Sequence, residues 1–365
     1  MNVSPKRTRL ALAPIAVFLA LCSLPAFCAD WNPLLAARYL DSRQKAWVAW
    51  PPATTSGVPC VSCHTGLPYL LARPALRKAL GETSPTVYES VLLDGLRATV
   101  FKKDAKNLLG DLKGVAADRV FGAQSVLSAL LIAMDDAPRG RMSPEGEEAF
   151  QRMWSVQIQA GDAKGGWYWS EFDLDPWETP ESAFYGAALG ALATGAAPAG
   201  YQSRPEIREN ISSLTAYLRG TQKAQPLHNR LILLWASAKL RDLLPESERK
   251  AILDEVCRKQ EPDGGWTMES LGAWKKRPSA PPDSGSNSYA TSFVAFTLQQ
   301  AGVLAPDPGV ARALNWLRAH QDRRSGYWAA ESMNHRHEEG SMPALFMRDA
   351  ATGYATAALL LGQTR

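Results

Sequence analysis

The sequence predicts an all-α protein of about six helical hairpins, roughly twelve helices in all, and three observations carry that expectation. Its 365 residues are 46% apolar and 21% charged, with 27 Gly, 25 Pro and 5 Cys, values that fit a folded chain and exclude disorder, a collagen repeat and a disulfide-stapled miniature. Strand-like alternation is nearly absent, whereas Ala/Leu-rich runs at 125–134 and 350–361 are apolar on every side, as buried helices are. A unit of about fifty residues also recurs: a helical stretch ending in Gln, a polar turn, Gly-x-Trp, a loop and a small-residue helix.

Residues 1–29 open with Lys6, Arg7 and Arg9, continue with an apolar stretch from Leu10 to Leu24, and end in small or helix-breaking residues around Pro25 and Ala29. That is the pattern of a secretory signal peptide, with cleavage expected near residues 28–30. The apolar stretch is short for a bilayer crossing, and no later segment is expected to be long and apolar enough to span one, so the mature chain is expected to be soluble and periplasmic or secreted. An uncleaved anchor or a lipid on Cys28 is the alternative, although Phe27 is a poor residue to precede a lipidated cysteine. Without the three leader cations, 37 basic residues face 36 acidic ones. Such a balance gives no electrostatic footprint for a nucleic acid.

The hairpins follow in order. The first runs from Tyr39 and Leu40 through Gln44 and Trp47 into a helix expected from Cys60 to Leu71; the second pairs 87–100 with 121–134. The third has Trp154, Gln159 and Gly165-Gly166-Trp167 before a helix at 181–189, and the fourth pairs 207–218 with 227–240. The fifth has Cys257, Gln260 and Gly264-Gly265-Trp266 before 287–293, and the sixth has Trp316, Gln321 and Gly326-Tyr327-Trp328 before 351–357. In each pair the second helix is small and apolar all round and the first is amphipathic, so a circle of pairs gives an inner and an outer ring. Gly-x-Trp supplies a tight turn and an aromatic plug between neighbours.

At Gln260, Gly264 and Trp266 the Gln-x-x-x-Gly-x-Trp spacing resembles the squalene-cyclase and protein-prenyltransferase repeat superfamily, over essentially all of residues 34–362. The copies at Gln159 and Gln321 carry one or two extra residues. The resemblance implies a single terpenoid-cyclase-like α/α toroid over 30–365, enclosing an apolar cavity that in this family often takes isoprenoids. A helical solenoid with a filled interior is the other architecture open to such repeats.

Within the first hairpin, Cys60-Val61-Ser62-Cys63-His64 has the Cys-x-x-Cys-His spacing of covalent c-type haem attachment. On a helical turn two cysteines three apart face one side, so both reach the porphyrin vinyl groups while the adjacent His reaches the iron. One haem c per chain also accounts for the odd number of cysteines left after the leader, because Cys257 then stands alone as a small buried residue. A local Cys60–Cys63 disulfide or a partial zinc site are the alternatives.

Closure of a ring places the first inner helix beside the last, and the segment leading into the last holds Met333, His335, His337, Met342 and Met347. One of these is expected as the distal iron ligand, with His335, His337, Met342 and Met347 the candidates, or they line an open distal position. Arg73, Arg77 and Arg348 are candidates for the haem propionates. Squalene-hopene cyclases use Asp-x-Asp-Asp as proton donor. The nearest string here, Asp173-Leu174-Asp175-Pro176-Trp177-Glu178, replaces the third acid with Pro176, which disfavours that chemistry. His228 and Asp349 open inner helices and are expected at solvated helix starts; His320 is expected to be structural. The expected function is an exported mono-haem protein that transfers electrons to a periplasmic redox partner or oxidises a hydrophobic, isoprenoid-like molecule. The alternative is a haem-free cyclase-like enzyme or lipid-binding module in which Cys60 and Cys63 form a disulfide.

Overall fold

The computed structural model describes residues 31–55, 58–103, 112–198, 200–280 and 285–363, together with Met1. The leader expected at residues 1–29 and its cleavage point lie, Met1 apart, outside the described residues. Among those described, the chain is predominantly helical, with a two-stranded antiparallel ribbon, β1 (Thr54–Thr55) and β2 (Val58–Pro59), as its one sheet.

Twelve α-helices longer than two turns alternate in character. They are α1 (Pro33–Ala49), α2 (Gly66–Ala79), α3 (Val87–Thr99), α4 (Gly114–Asp136), α5 (Pro144–Ser155), α6 (Ser182–Ala196), α7 (Arg208–Thr221), α8 (Leu227–Ser237), α9 (Glu246–Arg258), α10 (Ser288–Gln300), α11 (Pro308–His320) and α12 (Phe346–Leu361). The odd helices are amphipathic: α7 buries only Leu214 and Leu218, and α9 only Ile252 and Val256. The even ones are packed nearly all round, α6 burying 12 of its 15 residues. This division follows from composition, because only small side chains let a helix be approached from every direction. A Cβ at Gly186 would stand 2.1 Å from the Trp169 ring, and one at Gly190 would stand 2.6 Å from Trp167.

Packing between the even helices runs in a circuit: α2 on α4, α4 on α6, α6 on α8, α8 on α10, α10 on α12, and α12 back on α2. Each odd helix lies against members of that set, α1 against both α2 and α12.

The repeated residues make one hydrogen-bond device. Gln260 Nε2 donates to Gly264 O within its own turn (2.8 Å) and to Gly309 O at the start of the next odd helix (2.8 Å). Gln321 Nε2 does the same with Gly326 O (2.9 Å) and Asn32 O (3.0 Å), which joins the last hairpin to the first. In the third hairpin the residue in this role is Gln157, bound to Gly165 O (2.9 Å) and Asn210 O (3.1 Å). The expected Gln159 instead donates to Gln157 O, since the chain turns two residues earlier than the repeat spacing suggests. Each Trp indole then donates to a carbonyl late in the preceding odd helix: Trp167 to Met153 (2.7 Å), Trp266 to Val256 (2.9 Å) and Trp328 to Leu317 (2.8 Å). Glycine is required at two of the turns for two reasons. Gly165 and Gly326 have φ of 95° and 80°, and a Cβ on either would lie 2.2 or 2.3 Å from the backbone of the next odd helix.

Two expectations are corrected here. One helix, spanning Gly114–Arg139 and containing α4, is long and apolar enough to cross a bilayer, with 67% of the qualifying window buried inside the fold. A core helix surrounded on all sides meets the same compositional test as a spanning one. The helix expected from Cys60 begins only at Gly66, because Ser62 holds a turn ahead of it: Ser62 Oγ accepts from Thr65 N (3.0 Å) and Gly66 N (3.1 Å).

Candidate functional site

That turn aims the Cys-x-x-Cys-His side chains at one place without a helix. Cys60, Cys63 and His64 all line a cavity of about 460 Å³, which lies between the start of α2, α3, α4, the 170–178 loop and the 335–346 segment. Its walls are mainly apolar, with Trp47, Leu96, Leu127, Phe172 and Phe346 among them, and the volume falls in the range of small-molecule and cofactor pockets. The Trp47 indole donates to Cys60 O (2.8 Å), fixing the first cysteine to α1.

His64 is buried and its ring is clamped, stacked on Phe346 with centroids 3.6 Å apart and edge-on to Trp47 at 5.4 Å. Its Nδ1 lies 2.9 Å from Thr65 Oγ1, and that hydroxyl lies 3.0 Å from Asp349 Oδ2. A hydroxyl has one proton, and a carboxylate can only accept, so Thr65 donates to Asp349 and must accept from His64 Nδ1–H. The neutral ring therefore carries its proton on Nδ1, leaving the Nε2 lone pair free of any hydrogen bond among the described residues. Asp349 also receives Tyr39 Oη (2.8 Å) and a bidentate Arg43, at 2.7 Å from Nε and 3.0 Å from Nη2. Burial pushes the Asp349 carboxyl up, and Arg43, Tyr39 and Thr65 pull against it; with four donors on its two oxygens it stays a carboxylate. Burial, with Arg43 adding to it, holds His64 down at about 3, so it is uncharged at neutral pH. The expected solvated role of Asp349 is thus corrected: it is 2% exposed and orients His64 through Thr65.

Cys63 is buried and Cys60 half-buried. Burial pushes Cys60 up to about 12 and Cys63 well above the usual range, so neither has the depressed value of a reactive dithiol, and the structure holds no disulfide between them. Cys257, expected in the interior, is exposed. Glu178 also lines the cavity; its carboxyl has no partner among the described residues, and burial alone pushes it up to about 7.

The remaining candidates separate clearly. His335 and His337 line the cavity, whereas Met333, Met342 and Met347 do not. The Met342 sulfur lies 3.4 Å from Arg43 Nη1 and Nη2, and Met347 is packed into α12. Burial, then His335 and Arg277, hold His337 below the usual histidine value. Arg73 is paired with Asp41 and Glu82, Arg77 with Glu89, and Arg348 lies over the Tyr327 ring at 4.4 Å; none faces the cavity. Asp173 is paired with Lys275 and Asp175 accepts from Lys275 N, so of the acidic string only Glu178 reaches the cavity. His228 lies far inside an aromatic cluster rather than at a solvated start, and the His320 ring stacks on Trp316 at 3.7 Å.

Sequence reasoning missed Thr65, Phe346 and the depth of Glu178. Thr65 directly follows the motif, which was its one available signal. Among the described residues no group of three or more His, Cys, Asp or Glu is placed to hold a bare metal ion. No family model matches the chain, and no curated protein matches it.

Proposed function

We propose that this chain is an exported mono-haem c-type protein on a terpenoid-cyclase-like α/α toroid, its inner ring being the circuit of even helices and its haem held in the cavity beside α2. The observation that carries the reading is the convergence of Cys60, Cys63 and a histidine with a free Nε2 on one apolar cavity. The donor set fits the group. Two thiols three residues apart suit the two vinyl carbons of haem, and an imidazole whose Nδ1–H is already engaged suits iron through Nε2.

Bound there, haem supplies one-electron redox chemistry. The chain's own part is to hold His64 in one tautomer through Thr65 and Asp349, to stack Phe346 on its ring, and to keep water off both with Trp47 and Trp50. The function proposed is electron transfer with a periplasmic partner, or oxidation of a hydrophobic molecule taken into the same cavity. The test is expression with the haem-attachment machinery of an exporting host. A haem-stained denaturing gel, a two-thioether pyridine haemochrome and loss of both on Cys60→Ala support it; a purified exported chain with the mass of bare polypeptide overturns it.

Glu178 favours a second reading, a haem-free cyclase-like enzyme or lipid-binding module, because a buried carboxyl held near neutrality in an apolar cavity is the form a proton donor needs. An isoprenoid extracted from a colourless preparation would select it.

A further inference from the structure

Two imidazoles, not one, reach the cavity from the 332–345 segment, and their surroundings differ. His335 and His337 have ring centroids 5.5 Å apart. His335 Nε2 lies 3.1 Å from Asp173 Oδ2, an ion pair when the ring is protonated, and its backbone N–H donates to Ser332 Oγ (3.2 Å). The ring of His337 makes no hydrogen bond to any described residue; Nε2 of both rings is buried without a hydrogen-bond partner, and of the two only His335 has a carboxylate within ion-pair distance among the described residues. A buried ring nitrogen left unsatisfied costs free energy. Such a group calls for an explanation, and a partner supplied from outside the polypeptide is one.

The backbone around His337 is held in place rather than left free. Arg277 N donates to Met333 O (2.7 Å), Arg277 Nη1 to His335 O (3.3 Å), and Asn334 Nδ2 to Asp173 O. The last of these ties the segment to the same 170–178 loop that brings Phe172 and Glu178 to the cavity, and the other two tie it to Arg277. The methionines that share the segment are committed elsewhere: Met342 against Arg43, which itself grips Asp349, and Met347 within α12.

Resting on the haem reading above, we infer that His337 is the second axial ligand of the iron, with His335 a positioning residue that fixes the segment to Asp173. A histidine in that place closes the iron to outside molecules and favours electron transfer over small-molecule activation. It also sets a lower reduction potential than methionine would.

The experiment uses the haem-loaded, full-length chain and compares His337→Ala, His337→Gln, His335→Ala, Met342→Leu and Met347→Leu by absorption and ferric EPR spectra. The expected wild type is low-spin, without the near-infrared band of a methionine–iron bond. Both His337 variants are expected to lose the low-spin signature, bind carbon monoxide rapidly once reduced, and regain the low-spin spectrum on adding free imidazole. His335→Ala, Met342→Leu and Met347→Leu are expected to stay low-spin. A haem-loaded His337→Ala with an unchanged spectrum, or a high-spin wild type, overturns the ligand assignment and leaves haem attachment standing. Loss of the low-spin signature in either methionine variant overturns it in the same way. A chain that carries no haem at all overturns the underlying reading and this assignment with it.

Discussion

His64 and His228 lie in two regions of one molecule and are alike in almost every local respect. Both are buried, both are held below the usual histidine value by burial, at about 3 and about 4, and both stack on a phenylalanine. Both also carry the proton on Nδ1. His228 Nδ1 lies 3.1 Å from Asn229 Oδ1, and the Asn229 amide donates to Glu181 O and Gln225 Oε1, so its oxygen must accept. They part at the second nitrogen. His228 Nε2 is met by Tyr289 Oη at 2.8 Å, itself receiving Trp177 Nε1 at 2.9 Å, within an aromatic cluster that fills the interior. His64 Nε2 meets no hydrogen-bond partner among the described residues, and the residue lines a cavity. Burial and a depressed proton affinity therefore do not separate the two histidines; an unspent lone pair on a residue that lines a cavity does, and it is on that difference that the proposed role of His64 rests.

That contrast can be tested with five substitutions. The largest effect is expected from His64→Ala in haem-loaded protein: the iron loses its proximal nitrogen and the low-spin spectrum disappears, while His228→Ala leaves the spectrum intact. In return, His228→Ala removes a buried ring and strands the Tyr289 hydroxyl, so chemical denaturation should show a loss of about 3–5 kcal/mol. A smaller loss from His228→Ala than from Thr65→Val would reverse the roles given to the two regions.

The pH response sharpens the comparison. A histidine held below its unfolded value contributes stability that is lost as pH falls, because the unfolded chain takes up the proton first. For His228, between 6.5 and about 4, this amounts to roughly 3 kcal/mol. The haem-free chain should lose stability through that window, and His228→Phe should flatten the slope. Glu178 has the opposite sign: a carboxyl raised from 4.5 to about 7 weakens the fold progressively as pH rises between those values. In haem-free protein Glu178→Gln should gain up to roughly 3 kcal/mol at about pH 8 and nothing near pH 4. Equal gains at both pH values would show that the effect is packing alone. The smallest change is expected from Thr65→Val, about 1–3 kcal/mol in stability from the unmet Nδ1–H, with a measurable shift of the reduction potential in the loaded protein.

Much of the helical plan was legible because its signals are local and repeated. The Gln, Gly and Trp residues of the fifth and sixth hairpins each meet partners dictated by a turn of fixed length, and Gln260 and Gln321 act as their spacing suggests. Gln159 misled because two glutamines stand two residues apart and only the bend of the chain chooses Gln157. The motif residues were visible as a string, whereas the orientation of His64 depends on Asp349, 284 positions beyond Thr65, a pairing no local pattern encodes. His335, His337, Met342 and Met347 looked equivalent in sequence. What separates them is the path of one loop past Asp173 and Arg43.

The bond from Gln321 to Asn32 has a consequence for the order of events during biosynthesis. The two thiols emerge early from the ribosome, whereas Asp349, the loop histidines and the stitch that draws the first and last hairpins together emerge almost three hundred residues later. Until that late segment is in place, Cys60 and Cys63 lack one wall of their cavity, and on the proposed haem reading that is when they are reachable for attachment. On that reading, sealing the circle would end the access, and attachment would have to precede the docking of the last helix.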